Sequence, residues 1–572
     1  MNVFDLMTGF IPLIVIGVLA FGIVRLVRRA QGDHPVDAAA LTRQAVLYGL
    51  LYVTMILTAS GAVWAFGELT STAVRRDNRE LAEALALVTL GLPVFTALLT
   101  LADHRLRRDE EERTGLAWST YLTIASITAL IGTMVGAYEI ISSLIDTRPR
   151  AEFEGKSVIT TIIWGAFFAT HWMFLRLRHG IRGDLHLAIA SLVGLVPLAI
   201  GQAGLLAVTT DRLYDEVLDR PIEQLRSQSA PWAALFIVGC AVWISVWLRQ
   251  YESAPRTEPW YVLVLPIGAL AGFVATLGAA SRFGYLLLVW IAGDADGVVA
   301  SDHFDSTPQL VGIGVTGFIA WFYHRSFLTK ESPRTDVLRS YDYLLMAASL
   351  ITGVIGALVI VWSLLDDGST DRNQAIAGVT LLIAGGFTWS RFASHIVAHQ
   401  TSDAGVDELR SPVRRSYLYA TLGVGGLAVL IAGIGALQRV FEDGLDGVLG
   451  TDTLVAQRVQ FAMVVILGGV LWLHSLVLRS DQRQLEAMMP PPPVAHWPSR
   501  IIVLGTTDAS IDVAKHPGTS VEYWHRTDGS SVTTPPTALD IDQLEDALSS
   551  QRTDDVLVLL NGDTPTVIPF ER

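Results

Sequence analysis

The stretch "FFATHWMFLRLRH", residues 167–179, closes a long apolar run and sets two histidines, a tryptophan and two arginines within a few helical turns. Read alone, a histidine on an apolar helix suggests haem or metal ligation, which needs a neutral imidazole in a dry, convergent pocket. Its counterparts give it another meaning. "AVWISVWLRQ" (241–250), "AWFYHRSF" (320–327), "TWSRFASHIVAH" (388–399) and "LWLHSLVLRS" (471–480) each follow an apolar run, and each places a tryptophan ahead of histidine or arginine. Tryptophan rings favour the headgroup level of a bilayer, and arginines snorkel into its phosphates. Trp172, Trp243, Trp321, Trp389 and Trp472, with Arg176, Arg325 and Arg479, therefore read as interfacial anchors copied along a repeat.

The composition fits this. Of 572 residues, 51% are hydrophobic and only 17% charged, a balance foreign to a soluble chain of that length. A span needs about 20 mostly apolar residues to cross about 30 Å of hydrocarbon with its backbone satisfied inside the helix. Thirteen stretches qualify. The first is an anchor within residues 1–42, with Arg25, Arg28 and Arg29 after its apolar run and no cleavage site. The basic loops "RLVRR", "HRLRRDEEER" and "RLRHGIRGD" alternate with the acidic "GDADGVVASDHFDST" and "DDGSTDRNQ". This predicts a multi-pass protein of the cell membrane, amino end outside and carboxyl-terminal domain cytoplasmic, although "VRRDNRE" runs against the rule. The one cysteine, Cys240, excludes disulfide, iron-sulfur and thiolate-zinc chemistry within the chain.

Taken in pairs, the twelve later spans form six hairpins over 43–112, 113–182, 183–255, 256–334, 335–409 and 410–482. The first helices open alike in "RQAVLYGLLY", "LAWSTYLTIA", "VLRSYDYLLM" and "VRRSYLYATL", which puts Tyr48, Tyr121, Tyr343 and Tyr419 at one position. Each unit holds two spans, so all six share one orientation, unlike an inverted-repeat transporter. This pattern resembles the prokaryotic multi-pass membrane family known as domain-of-unknown-function family 5671. The resemblance is clearest in the fifth and sixth units; the third and fourth depart, since "GDLHLAIASL" and "EPWYVLVLPI" lack the tyrosine pair. It implies tandem helical hairpins and brings no activity with it.

Candidate sites are few. His171, and the pair His395 and His399 four residues apart on one helical face, are the possible cofactor ligands, weighed against the boundary reading. No glutamate follows His395 as a zinc-hydrolase signature requires, so neither metal nor cofactor is predicted. Charged and amide groups inside spans are costly and mark function by default. Glu139 in "GAYEIISSLID" and Arg282 in "GAASRFGYLLLVW" occupy similar places, would pair if the hairpins closed into a ring, and with Gln202 are the substrate candidates.

A proline run in the linker 483–499 acts as a stiff spacer before a soluble α/β domain, 500–572. Here "RIIVLG" reads as a buried strand, "TSVEYWHRTDGSSVTT" as a hairpin around Asp528 and Gly529, "TALDIDQLEDALSSQ" as a helix and "DDVLVLLNGD" as a strand. From Asp481 onward 14 acidic residues face 6 basic ones, which argues against nucleic acid as a partner. The expected fold is thus an all-α polytopic membrane protein with a small carboxyl-terminal α/β domain. The favoured function is a non-enzymatic scaffold or sensor-like protein, in contact with the lipid bilayer and offering its tail to a protein partner. The alternatives are a transporter or channel with a pocket between hairpins, and a haem-binding redox subunit.

Overall fold

The computed structural model describes residues 38–70, 78–146, 155–176, 184–218, 225–295, 297–328, 335–365, 372–400, 405–488, 497–504, 518–524, 544, 547–549, 551, 553–561 and 564–570. The expected amino-terminal anchor lies outside them. The chain divides into two compact units, one ending at His474 and one running from Ser475 to Arg572.

The long helices of the first unit are α1 (Ala38–Thr70), α2 (Asn78–Arg108), α3 (Leu116–Ile145), α4 (Gly155–Arg176), α5 (Asp184–Leu218) and α6 (Leu225–Trp243, continued by a π-helical stretch Ile244–Tyr251). They continue as α7 (Glu258–Ala292, π-helical over Leu263–Leu270), α8 (Thr307–Leu328), α9 (Asp336–Leu365), α10 (Arg372–Gln400), α11 (Pro412–Leu445) and α12 (Arg458–Met488), the last crossing into the second unit. Eleven of these are long and apolar enough to cross a membrane. The exception is α8, where Thr307, Gln309, Thr316, His324 and Arg325 dilute the apolar run. Hydroxyls in other spans bond within their own helix, as where Thr58 donates to the Thr54 carbonyl at 2.7 Å and Ser349 to that of Leu345 at 2.8 Å.

Glycine sets how the helices pair. A Cβ at Gly61 of α1 would lie 2.7 Å from the Leu87 Cβ of α2, and one at Gly91 of α2 would lie 2.9 Å from Thr58 Oγ1 of α1. The same reciprocal approach joins Gly201 of α5 to Phe236 with Gly239 of α6 to Leu198, and Gly356 of α9 to Leu382 with Gly385 of α10 to Gly353. Small residues let helix backbones come this close. The six glycines fix one register over three copies of a larger unit: α1–α4, α5–α8 and α9–α12. Copies also meet alike, the third helix of one lying against the second helix of the next, α3 on α6 and α7 on α10. At the first junction Ile127, Leu130 and Met134 pack with Ala190, Val238 and Val246; at the second, Phe273 and Phe392 stand 5.7 Å apart.

The second unit contains a four-stranded sheet in the order β2-β1-β3-β4, from β1 (Arg500–Leu504), β2 (Ser520–Trp524), β3 (Asp555–Asn561) and β4 (Thr564–Pro569). The expected strands at "RIIVLG" and "DDVLVLLNGD" are there, parallel and adjacent. The central β1 is buried at Ile501, Ile502 and Val503, as a strand covered on both faces must be. Leu544 and Leu548, one helical turn apart, close the core with Val556 and Val558. "TSVEYW" forms an edge strand whose partner is β1, in parallel; the turn expected at Asp528 and Gly529 lies outside the described residues. The antiparallel partner of β3 is instead β4, after Asn561.

Candidate functional site

In copies one and three, buried tyrosine, glutamate and histidine side chains join one helix to another. In copy one, Tyr48 of α1 donates to Glu112 Oε1 at 3.1 Å, from α1 to the short helix Glu110–Thr114 ahead of α3. Tyr121 of α3 stands 2.9 Å from Nε2 of His171 on α4. The imidazole Nδ1 is 2.8 Å from the Phe167 carbonyl, an acceptor only, so the proton sits on Nδ1 and Nε2 accepts from the tyrosine. Tyr48, Trp118 and Tyr121 pack ring on ring, with centroids 5.3 to 5.9 Å apart.

Copy three repeats this. Tyr343 donates to Glu408 Oε1 at 3.0 Å, Tyr417 stands 3.1 Å from Nε2 of His474, and that ring's Nδ1 is 2.8 Å from the Val470 carbonyl. Glu112, Trp118 and Tyr121 have the same mutual spacing as Glu408, Arg414 and Tyr417. Tyr417 therefore holds the place expected for Tyr419, which is 56% exposed while Tyr417 is buried. Both carboxylates are buried, yet they are met differently. Glu408 Oε2 takes Arg339 Nε at 3.1 Å, and Arg414, in the place of Trp118, donates to the Tyr343 hydroxyl at 3.0 Å. Four residues before Tyr48 the chain has Gln44 where Arg339 stands before Tyr343.

Copy two departs, as its sequence foretold. Ala188 replaces the first tyrosine in the glycine register, and both π-helical stretches of the described residues fall here. Fully buried Trp247, Tyr251 and Trp260 fill the space. His324 keeps the bond from Nδ1 to the Ala320 carbonyl, 2.7 Å, but its buried Nε2 has no hydrogen-bond partner among the described residues. A Cβ at Gly268 would collide with this ring, so no ligand-sized gap adjoins that side.

The other sequence candidates are dispersed. Both nitrogens of His171 are engaged as described. His395 Nδ1 lies 3.6 Å from the buried Asp342 carboxylate, and the His399 side chain lies outside the described residues, as does that of Arg176. Among the described residues no three of His, Cys, Asp or Glu converge. Glu139 accepts from Ser157 at 2.6 Å within its own hairpin, and Arg282 lies over the Tyr285 ring on its own helix, 4.8 Å from the centroid. Gln202 is half-buried on α5. Of the tryptophans, Trp243 is buried and stacks on Trp247 at 5.1 Å, Trp321 donates to the Tyr341 hydroxyl at 2.8 Å, Trp172 and Trp389 are half-buried, and Trp472 is exposed. Arg325 covers Trp321 at 5.7 Å, and Arg479 is exposed. A cavity of about 360 Å³ lies in copy one, lined by Trp64, Gly67, Glu68, Glu83 and Lys156.

Sequence reading missed Glu112, Glu408, Arg339, Arg414 and Asp342. The signal was present: a glutamate six residues before Trp or Arg and nine before tyrosine, twice in the chain.

No curated protein and no solved structure matches the chain. A family profile does, three times, over residues 50–170, 184–321 and 339–471, one match to each four-helix copy that the glycine register defines. Covering most of the sequence in this way, the matches show that the chain belongs to the family described as a domain of unknown function (DUF5671).

Proposed function

We propose that this protein is a multi-pass membrane scaffold without enzymatic activity, its helices spanning the bilayer and its carboxyl-terminal domain offered to a protein partner in the cytoplasm. The observation that carries the reading is how the buried polar groups are used. Tyr48 with Glu112 and Tyr121 with His171 in copy one, and Tyr343 with Glu408 and Tyr417 with His474 in copy three, each tie one helix to another, with their hydrogen bonds directed at protein. Groups so satisfied rigidify and specify packing. Exposed Leu, Ile, Val and Phe on the outer helix faces favour lipid as the surrounding solvent, and the basic loops beside the locks favour the cytoplasm for that end. Cross-linking in native membranes followed by mass spectrometry tests the reading: a stable protein partner captured through residues 500–572 supports it, and a chain recovered without one counts against it.

The cavity lined by Trp64, Glu68, Glu83 and Lys156 favours a second reading, a transporter or channel that takes a small charged solute at the outer end. Solute uptake by proteoliposomes that falls with Lys156→Ala would favour it over the scaffold.

A further inference from the structure

From the way the three copies meet, we infer that the chain binds a second copy of itself head to tail, copy three of one molecule against copy one of the next. This goes beyond the scaffold reading and does not depend on it. Inside the chain each junction uses the third helix of one copy and the second helix of the following one. Among the described residues no copy follows copy three, and none precedes copy one. The register that aligns Tyr121 with Tyr417 carries Ile127, Leu130 and Met134, buried at the first junction, onto Gly423, Gly426 and Leu430 of α11. There a Cβ at Gly423 or Gly426 would meet no atom within 4 Å, and Leu430 is 58% exposed. On the other partner, the glycine register carries buried Ala190 onto Leu50 of α1 and buried Val238 onto Leu90 of α2, which are 50% and 71% exposed.

At the internal junction Ile127, Leu130 and Met134 pack with Ala190 and Val238; the equivalent residues of the end copies are Gly423, Gly426 and Leu430 on one face and Leu50 and Leu90 on the other. Small residues such as glycine on one helix let a neighbouring helix approach closely and accept its larger side chains. The occupant that fits is therefore copy one of another molecule. The contact is heterologous, so it closes into a ring or extends as a filament, and it does not form a two-fold dimer.

The test uses the full-length chain in membranes, with Cys240→Ser as background. Molecules carrying Leu90→Cys and one tag are co-expressed with molecules carrying Gly426→Cys and another tag, then treated with a short bis-maleimide. The cross-linked product between unlike tags is expected to exceed either like-tag product at least tenfold. The Leu130→Cys, Val238→Cys double variant, which spans the internal junction, reports that the reagent works. Adding Leu430→Ser, with size-exclusion profile and thermal midpoint unchanged, should lower the unlike-tag product at least threefold. The inference is overturned by equal like-tag and unlike-tag products, by no product when the internal control cross-links, or by indifference to Leu430→Ser. None of these results changes what is captured through the carboxyl-terminal domain, so the two readings fail separately.

Discussion

Tyr121 of α3 holds Nε2 of His171 on α4 at 2.9 Å, and Tyr417 holds Nε2 of His474 in the same way at 3.1 Å. In both, the second ring nitrogen is fixed by the carbonyl one turn earlier on its own helix. A lone imidazole in apolar surroundings would carry an unmet acceptor. Here it is the point where two helices of a hairpin are fastened.

Tyr121→Phe leaves that acceptor buried and unmet, and a buried unmet group costs about 1–3 kcal/mol. The thermal midpoint of the purified protein in detergent should fall. Tyr417→Phe should do the same, and Tyr419→Phe, at an exposed position, should stay within about 0.5 kcal/mol of the parent. Equal effects at 417 and 419 would contradict the pairing.

His324 offers the contrast. Its Nε2 already lacks a partner among the described residues, so His324→Leu loses little hydrogen bonding, whereas His171→Leu strands the Tyr121 hydroxyl. We expect His171→Leu to be the more damaging by about 1–3 kcal/mol in the same melting assay.

The carboxylate of Glu408 is met by Arg339 at 3.1 Å with the pair largely shielded, and its hydroxyl partner Tyr343 is itself met by Arg414. Removing one member of a buried ion pair leaves the other uncompensated and costs about 3–5 kcal/mol. Arg339→Ala should therefore cut the yield of monodisperse protein sharply. The Arg339→Met, Glu408→Leu double variant should recover part of it, a recovery absent if the two residues act independently.

Gly356→Leu should prevent α9 and α10 from closing, because its Cβ would strike the Leu382 backbone. Gly433→Leu, where no atom lies within 4 Å, should fold normally. Fluorescence-detected size exclusion separates the two outcomes: a void-volume peak for the first and a parent-like peak for the second.

In the carboxyl-terminal domain Leu548 is fully buried between helix and sheet. Leu548→Ala should cost about 2–5 kcal/mol, enough to open a small domain, and limited proteolysis of the full-length chain should then clip the segment after the proline linker. On the same sheet Arg500 forms a two-pronged bond to Glu522, at 2.8 and 2.7 Å, which raises the guanidinium pKa further above its ordinary value. The fork stays charged across any usable pH, so no pH dependence of the domain should trace to Arg500.

The sequence by itself determined the helical architecture and the two strands of the tail at "RIIVLG" and "DDVLVLLNGD". Apolar runs of spanning length and alternating loop charge are local properties that need no knowledge of neighbours. It also showed copy two to be the divergent one, since the missing tyrosines are visible as letters. Tertiary structure decided the rest. That the repeat is four helices long follows from which glycine meets which backbone, and Gly61, Gly201 and Gly356 look ordinary among 49 glycines in the chain. That Tyr417, and not Tyr419, faces histidine depends on helix rotation, about 100° per residue, which two nearby tyrosines in one string do not reveal. That His171 is a fastener follows from a partner 50 residues away. Whether a polar group in an apolar helix binds a ligand or another helix is settled by what lies across from it, and only the packed chain supplies that.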